Sequence, residues 1–178
     1  MRETDRTLAK RLAAGASPGL HRALCTVEET AEGTKLWCGA TAVMALMGGW
    51  RGRKTAVAGL AAVTVAQLVS NGVCKQVADR PRPRKEWFPH DEVEDRPDFS
   101  SFPSGHTAAA VAFTASVAPL CPLTGVLCVV PAAMVAVERV QSGAHSPSDV
   151  AAGAAIGLAS AWLTRRAPHL ILRHWLRP

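Results

Sequence analysis

The chain has 178 residues, of which 19% are charged and 48% are hydrophobic, and its formal net charge is +6 at pH 7. That length suits one domain, and the high apolar fraction excludes a disordered chain. A basic protein can bind nucleic acid, but only 5% of the residues are aromatic and tyrosine is absent, which argues against nucleic acid as a partner. Two classes remain, a soluble helical domain and a small membrane protein.

The N-terminal segment, residues 1–35, has nearly balanced charge and no cleavable signal-peptide pattern. Its mixture of apolar and charged residues predicts one or two amphipathic helices that lie at a membrane interface.

Four uncharged runs follow this segment, and the third is long enough for two helices folded back at Pro119 and Pro122. The runs are residues 36–50, 55–74, 99–137 and 150–164. About 20 helical residues cross a bilayer core of about 30 Å. The shorter runs would also suit buried helices of a soluble protein, but a soluble helix normally shows a charged face, and these runs have none.

We therefore expect an all-α, integral-membrane helical bundle with about five transmembrane helices. The whole chain, 1–178, forms one domain in this interpretation, with an interfacial segment (1–35), a transmembrane catalytic bundle (36–164) and a cytoplasmic basic tail (165–178).

Lysine and arginine predict the orientation of this bundle. Five spans bring two basic clusters to the same side, which the positive-inside rule assigns to the cytoplasm. The clusters are Arg51, Arg53 and Lys54, and Arg165, Arg166, Arg173 and Arg177. The loops 75–102 and 138–149 then face outward, which predicts a multi-pass protein of the cell membrane with its polar loops on the extracytoplasmic side.

Two of the polar segments in these loops lie at ends of different apolar runs. The first contains Lys75 and Arg82, which a basic helix end at the membrane interface would also explain. The second is residues 103–106 (PSGH), at the start of an apolar run. Free N–H groups at a helix start form an anion site, and a histidine there could protonate a leaving group, although an ordinary helix start has the same pattern.

The third polar segment is residues 139–149 (RVQSGAHSPSD), in which Ser146 and Asp149 match a helix capping box. Arg139 and His145 lie outside that box. An Asp one turn after a His can hold one imidazole N–H and leave the other nitrogen nucleophilic. The three segments together are suited to phosphoryl transfer with neither a metal nor a cofactor, and the five cysteines have no metal-ligand spacing.

In this order and at these spacings, the three segments resemble the signature of the type 2 phosphatidic acid phosphatase superfamily, which are integral-membrane lipid phosphatases. The resemblance covers residues 75–149 and implies a phosphohistidine mechanism. His145 would attack phosphorus, Asp149 would orient His145, and His106 would protonate the leaving oxygen. The implied phosphate-binding residues are Lys75, Arg82, Ser104, Gly105 and Arg139.

This chain departs from the family pattern at Glu138, where the family usually has Ser. A carboxylate there can pair with Arg139 or bond to a helix end, and it can weaken anion binding.

The implied partners are the bilayer and a lipid phosphate that enters from it. We expect a polyprenyl diphosphate, with phosphatidic acid or phosphatidylglycerol phosphate as alternatives. The acidic segment 84–102 either covers the site and helps select head groups or is a solvated loop. Two other classes stay open: a non-catalytic membrane protein that binds anionic lipid through its cations, and a soluble relative that uses vanadate for peroxide chemistry.

Overall fold

The N-terminal helices pack against a helical bundle. The structure, a computed structural model, describes residues 3–15, 17–31, 34–88 and 100–175. Helices α1 (Glu3–Ala14) and α2 (Pro18–Ala31) agree with the amphipathic segment expected there. Helix α1 contacts the C-terminal part of the chain, and α2 contacts both the helix that carries Arg139 and the helix that follows α2.

The predicted apolar runs all form helices. The bundle consists of α3 (Lys35–Met47), α4 (Gly49–Gln67) with its π-helical continuation (Leu68–Cys74) and last turn α5 (Lys75–Val77), α6 (Gly105–Val117), α7 (Pro122–Gln141) and α8 (Pro147–Trp175). A 3-10 turn (Lys85–Trp87) lies between α5 and α6. In the described residues every regular element is helical, which confirms the all-α prediction.

Two of these helices are long and apolar enough to cross a membrane, Gly49–Val77 and Pro122–Gln141. Their surfaces are apolar as well: Val57 is 68% exposed on α4, and Leu123 is 72% exposed on α7. A soluble protein rarely shows wide apolar surfaces of this kind, whereas lipid accepts them. This surface agrees with the predicted membrane bundle, and the number of spans stays a prediction.

Helix α6 is the central element and packs mainly on α8 and α4. Phe113 is fully buried, and its ring centroid lies 5.2 Å from that of Trp37. Close packing of α8 on α6 requires glycine, because a Cβ at Gly153 would come 2.4 Å from the Ser104 carbonyl oxygen. Small residues at such crossings let membrane helices approach closely. This crossing places the start of α6 and the start of α8 beside each other, and each start carries one of the polar motifs.

Helix α8 continues past residue 164 to Trp175, so the expected basic tail begins as helix and not as a separate segment. Arg165 and Arg166 are good helix formers, which is the physical reason for the continuation. Most of the acidic segment expected to cover the site, residues 89–99, lies outside the described residues.

Candidate active site

The first component of the site is His145, in the short loop between α7 and α8. Its side chain is buried, with 3% of the residue exposed, and its Nδ1 lies 2.6 Å from the Ser101 carbonyl oxygen. A carbonyl can only accept, so Nδ1 carries the proton and Nε2 keeps its lone pair. The loop itself is held by a 2.9 Å hydrogen bond from the His145 N–H to the Arg139 carbonyl.

The charge state of His145 suits a nucleophile. Burial and the positive charges of Arg139 and Arg82 hold the pKa of its imidazole well below the usual value of 6.5, although the bond to Ser101 acts in the opposite direction. An imidazolium in this position would be both desolvated and repelled. His145 is therefore neutral at pH 7.

Asp149 has different partners from those expected. Its Oδ2 accepts from the Ser146 N–H at 2.8 Å, and its Oδ1 accepts from Arg80 Nη1 at 2.7 Å. Asp149 is the third residue of α8, where an acidic side chain reaches back to the backbone N–H before the helix and forms the carboxylate half of a capping box. The expectation that Asp149 itself orients the His145 ring is corrected by this geometry, since the ring is held by the Ser101 carbonyl.

The three predicted cations converge near His145. Arg82 donates from Nη1 to the Ala144 carbonyl at 2.6 Å, directly beside the histidine. Lys75, Arg82 and Arg139 all act electrostatically on the His145 imidazole. Burial and the charge of Arg139 also lower the pKa of Arg82, while the charge of Asp149 opposes the shift. These mutual effects identify a concentrated positive site of the kind that binds phosphate.

The start of α6 forms one wall of this site. Ser104 is the N-cap residue, and its Oγ accepts from the Thr107 N–H at 3.4 Å and lies 3.0 Å from the Thr107 hydroxyl. Ser104 is fully buried, so its hydroxyl serves the helix end, which differs from the direct phosphate contact expected of it. Gly105 lies close to the Asn71 amide, because a Cβ there would come 2.7 Å from the Asn71 Oδ1 atom and the amide would have to move.

His106 follows in the first turn of α6 and has an acidic neighbour that sequence reasoning missed. Its Nε2 lies 3.9 Å from Oε1 of Glu28, which projects from α2. The same Glu28 oxygen lies 2.9 Å from Arg139 Nη1. Glu28 gives no local signal in the sequence, since its position depends on how α2 docks on the bundle.

The departure at Glu138 has a clear structural result. Its Oε2 accepts from Arg139 Nε at 2.7 Å, which confirms one of the two pairings expected for it. Arg139 therefore lies between two carboxylates, those of Glu28 and Glu138, and only 14% of its side chain is exposed. An incoming phosphate must compete with these carboxylates for the guanidinium.

A second missed group supports the start of α8. Arg80 donates to Asp149, and its Nη2 lies 3.0 Å from Oδ2 of Asp5 on α1. Asp5 also accepts from the Ser148 N–H at 3.1 Å and from the Ser148 hydroxyl at 2.8 Å. Burial acts to raise the pKa of Asp5, but the bonds from Ser148 and the Arg80 charge outweigh it, so the net shift is downward. Helix α1 is thereby joined to the catalytic region.

A cavity of about 500 Å³ opens beside His106 and Lys75. Its other lining residues are Gln67, Asn71, Gln76 and Gly105. In the described ranges, no group of three or more His, Cys, Asp or Glu side chains has an arrangement that could hold a metal ion.

Comparison with known proteins identifies relatives. Residues 56–172 match the model of the PAP2 superfamily. The chain is 46% identical over 66 residues to a lipid A 1-phosphatase of Rhizobium johnstonii and 48% identical over 59 residues to one of Rhizobium etli. These matches cover 37% and 33% of this chain, and about a quarter of each relative, 26% and 25%.

Two solved structures have the same fold. The crystal structure of Aquifex aeolicus LpxE aligns with a TM-score of 0.72 and 20% identity over 90% of this chain and 93% of that chain. The Bacillus subtilis transmembrane PAP2-type phosphatidylglycerolphosphate phosphatase aligns with a TM-score of 0.67 and 22% identity, over 94% of this chain and 86% of that chain. At these identities the comparison supports the fold.

Proposed function

The chain belongs to the PAP2 superfamily, and we propose that it is a phosphatase that hydrolyses a phosphate bond of a membrane lipid through a covalent phosphohistidine at His145. One observation carries the proposal. His145 is buried and neutral, the Ser101 carbonyl fixes its tautomer, and its Nε2 is the nitrogen available for attack beside Arg82 and Arg139. A positioned neutral imidazole among cations is suited to attack on an anionic phosphoryl group.

The reaction has two steps. In the first, the Nε2 lone pair forms a bond to phosphorus while the bond to the leaving oxygen breaks, and His106 gives that oxygen a proton. In the second, water attacks phosphorus, His106 takes the proton of the water, and the bond to His145 breaks to release inorganic phosphate. Lys75, Arg82 and Arg139 neutralise the charge on the phosphoryl oxygens in both transition states.

Asp149 contributes indirectly in this scheme. It holds the Ser146 N–H at the start of α8 and receives a bond from Arg80, and its own carbonyl accepts from the Ser104 N–H at 3.0 Å. Asp149 therefore ties the loop of His145 to the helix start of His106. Ser104 and Gly105 complete the scheme by forming the start of α6, where free backbone N–H groups can bind the phosphate.

The lipid itself is open to several proposals. Polyprenyl diphosphate, phosphatidic acid and phosphatidylglycerol phosphate are the substrates expected from the sequence. The names of the similar proteins add a glycolipid 1-phosphate of the lipid A type. Phosphate release from these four lipids in the same mixed micelles, compared as kcat/KM, ranks them directly.

The deciding experiment for the mechanism replaces His145 with Asn in the purified, detergent-solubilised protein. We expect phosphate release to fall at least about 1,000-fold, because the loss of a nucleophile removes the covalent route. His21→Asn, on α2 and outside the site, is the matched control and should keep its activity. If His145→Asn keeps more than a tenth of the activity, the phosphohistidine scheme is refuted, because another group must then attack phosphorus. The non-catalytic, lipid-binding alternative instead predicts no phosphate release from the wild-type protein.

We also infer that the site faces the extracytoplasmic side of the cell membrane. The support comes from the basic residues Arg51, Arg53 and Lys54, which lie at the opposite end of α4 from Lys75. A membrane-impermeant thiol reagent added to intact cells should label Arg84→Cys but not Arg166→Cys in a cysteine-free background. The reverse pattern would overturn this orientation.

A further inference from the structure

Two amide side chains lie in the uncharged and mainly apolar run formed by α4 and its continuation. Gln67 and Asn71 fall within the uncharged run 55–74, one helical turn apart, and Lys75 follows one turn later. Polar groups in a membrane-spanning helix are expensive unless they have partners, and for this reason they usually serve a function. The helix is π-helical over Leu68–Cys74, which includes Asn71, and such segments are frequent at functional sites.

The two amides bond to each other and keep capacity for a ligand. The Asn71 Nδ2 donates to the Gln67 Oε1. That bond uses one donor of Asn71 and the acceptor of Gln67. The Gln67 NH₂ group is therefore left as a donor, and the Asn71 oxygen as an acceptor, for a hydroxyl or amide of a bound molecule.

The amides line the same cavity as the reacting groups. This cavity of about 500 Å³ is lined by Lys75 and His106 and also by Gln67 and Asn71. Its volume lies in the ordinary range for sites that bind small molecules or head groups. His106 protonates the leaving oxygen in the proposed reaction, so the leaving group lies on the His106 side of the phosphate. The cavity is the space on that side.

We propose that Gln67 and Asn71 bind the leaving group of the substrate, and that this group is a neutral, hydroxyl- or amide-bearing unit such as a sugar or glycerol. The inference rests on the proposed phosphatase function and makes it more specific. A hydrocarbon leaving group would offer no partner to the Gln67 NH₂ group or to the Asn71 oxygen, which is unfavourable. A site built to hydrogen-bond a substrate discriminates strongly against analogues that lack the bonding group.

The test compares leaving groups with the same phosphate chemistry. The polar probes are an acylated glucosamine 1-phosphate and phosphatidylglycerol phosphate, and the apolar probes are hexadecyl phosphate and polyprenyl monophosphate, so all four are phosphomonoesters. The wild-type protein should have its highest kcat/KM with a polar probe. Gln67→Met and Asn71→Leu keep approximate side-chain volume and should lower kcat/KM at least tenfold on that probe, with less than a threefold change on hexadecyl phosphate.

Thr64→Val, which removes a polar group from an exposed position on the same helix, is the matched control and should behave as the wild type on all four probes. Equal losses of kcat/KM on polar and apolar probes would overturn the inference. The amides would then support the structure of the site, for example by packing of Asn71 beside Gly105, and would not recognise the leaving group. A wild-type preference for either apolar probe would also overturn it while leaving the phosphatase function intact. Absence of phosphate release from all four probes would refute the proposed function itself.

Discussion

Glu28→Gln should make the site bind phosphate-like anions more tightly. In the protein without substrate, Glu28 lies 2.9 Å from Arg139 Nη1 and 3.9 Å from His106 Nε2, so it occupies a donor that the phosphate needs. Glu28 and Arg139 are only 17% and 14% exposed, and solvent screening of this pair is modest. Glutamine keeps the shape of the side chain and removes its charge.

The size of the effect follows from the strength of that pair. A hydrogen bond to a charged group contributes about 1.5–3 kcal/mol, and a neutral one contributes about half as much. Replacing the carboxylate with an amide therefore weakens the competition by about 1.4 kcal/mol, which corresponds to a tenfold change in affinity.

Vanadate is the suitable ligand for this measurement, since it mimics five-coordinate phosphorus. We expect its inhibition constant to fall about tenfold in Glu28→Gln. Glu29→Gln removes the same charge from an exposed neighbour on α2 and should leave the constant unchanged. An inhibition constant that stays the same or rises in Glu28→Gln would refute the view that Glu28 competes with the phosphate for Arg139.

The acid limb of the pH profile of kcat/KM, which reports protonation of the His145 nucleophile, should lie well below pH 6.5, because burial and nearby cations lower the pKa of that imidazole. Arg82→Gln removes one of those cations, so the acid limb of the profile should move to higher pH; a limb that does not move would contradict this electrostatic account. Asp5→Ala removes the acceptor for a backbone N–H in the first turn of α8, and we expect a loss of about 0.5–2 kcal/mol of stability, read as a lower unfolding temperature in detergent, whereas Glu3→Ala should have no effect. His106→Gln should slow the hydrolysis of alkyl phosphates more than that of activated aryl phosphates, and equal losses would argue against its role as the acid. Phosphate release should persist in EDTA, since lysine and arginine supply the positive charge, and a loss of activity that added metal restores would refute the metal-free scheme.

Local sequence patterns predicted the helices and the capping of α8, because both depend on residues a few positions apart. The apolar runs form helices, and Asp149 accepts from the Ser146 N–H, which is one of the two bonds of the expected capping box. The role of Asp149 beside His145 was not predictable in the same way. The acceptor that holds the imidazole is the backbone carbonyl of Ser101. Every residue has such a carbonyl, so the sequence does not indicate which one contacts the histidine.

Contacts between distant parts of the chain were also not predictable from local sequence patterns. Glu28 reaches Arg139, and Asp5 reaches Arg80, only because α1 and α2 dock on the bundle. In the sequence both are ordinary charged residues of amphipathic helices. Because α1 and α2 pack on the bundle, these two N-terminal helices contribute side chains to the site.

The carboxylates also explain how so many cations can gather without substrate. Lys75, Arg82 and Arg139 repel one another in a partly buried region, and such a cluster is unstable unless opposite charges are near. Glu28 and Glu138 supply two negative charges at Arg139, about as much charge as one phosphate group brings. When the phosphate binds, at least one of these carboxylates must give up its contact. Glu28 is the one that can do so at lower cost, because it comes from a separate N-terminal helix, whereas Glu138 is adjacent to Arg139 on α7 and only 4% exposed.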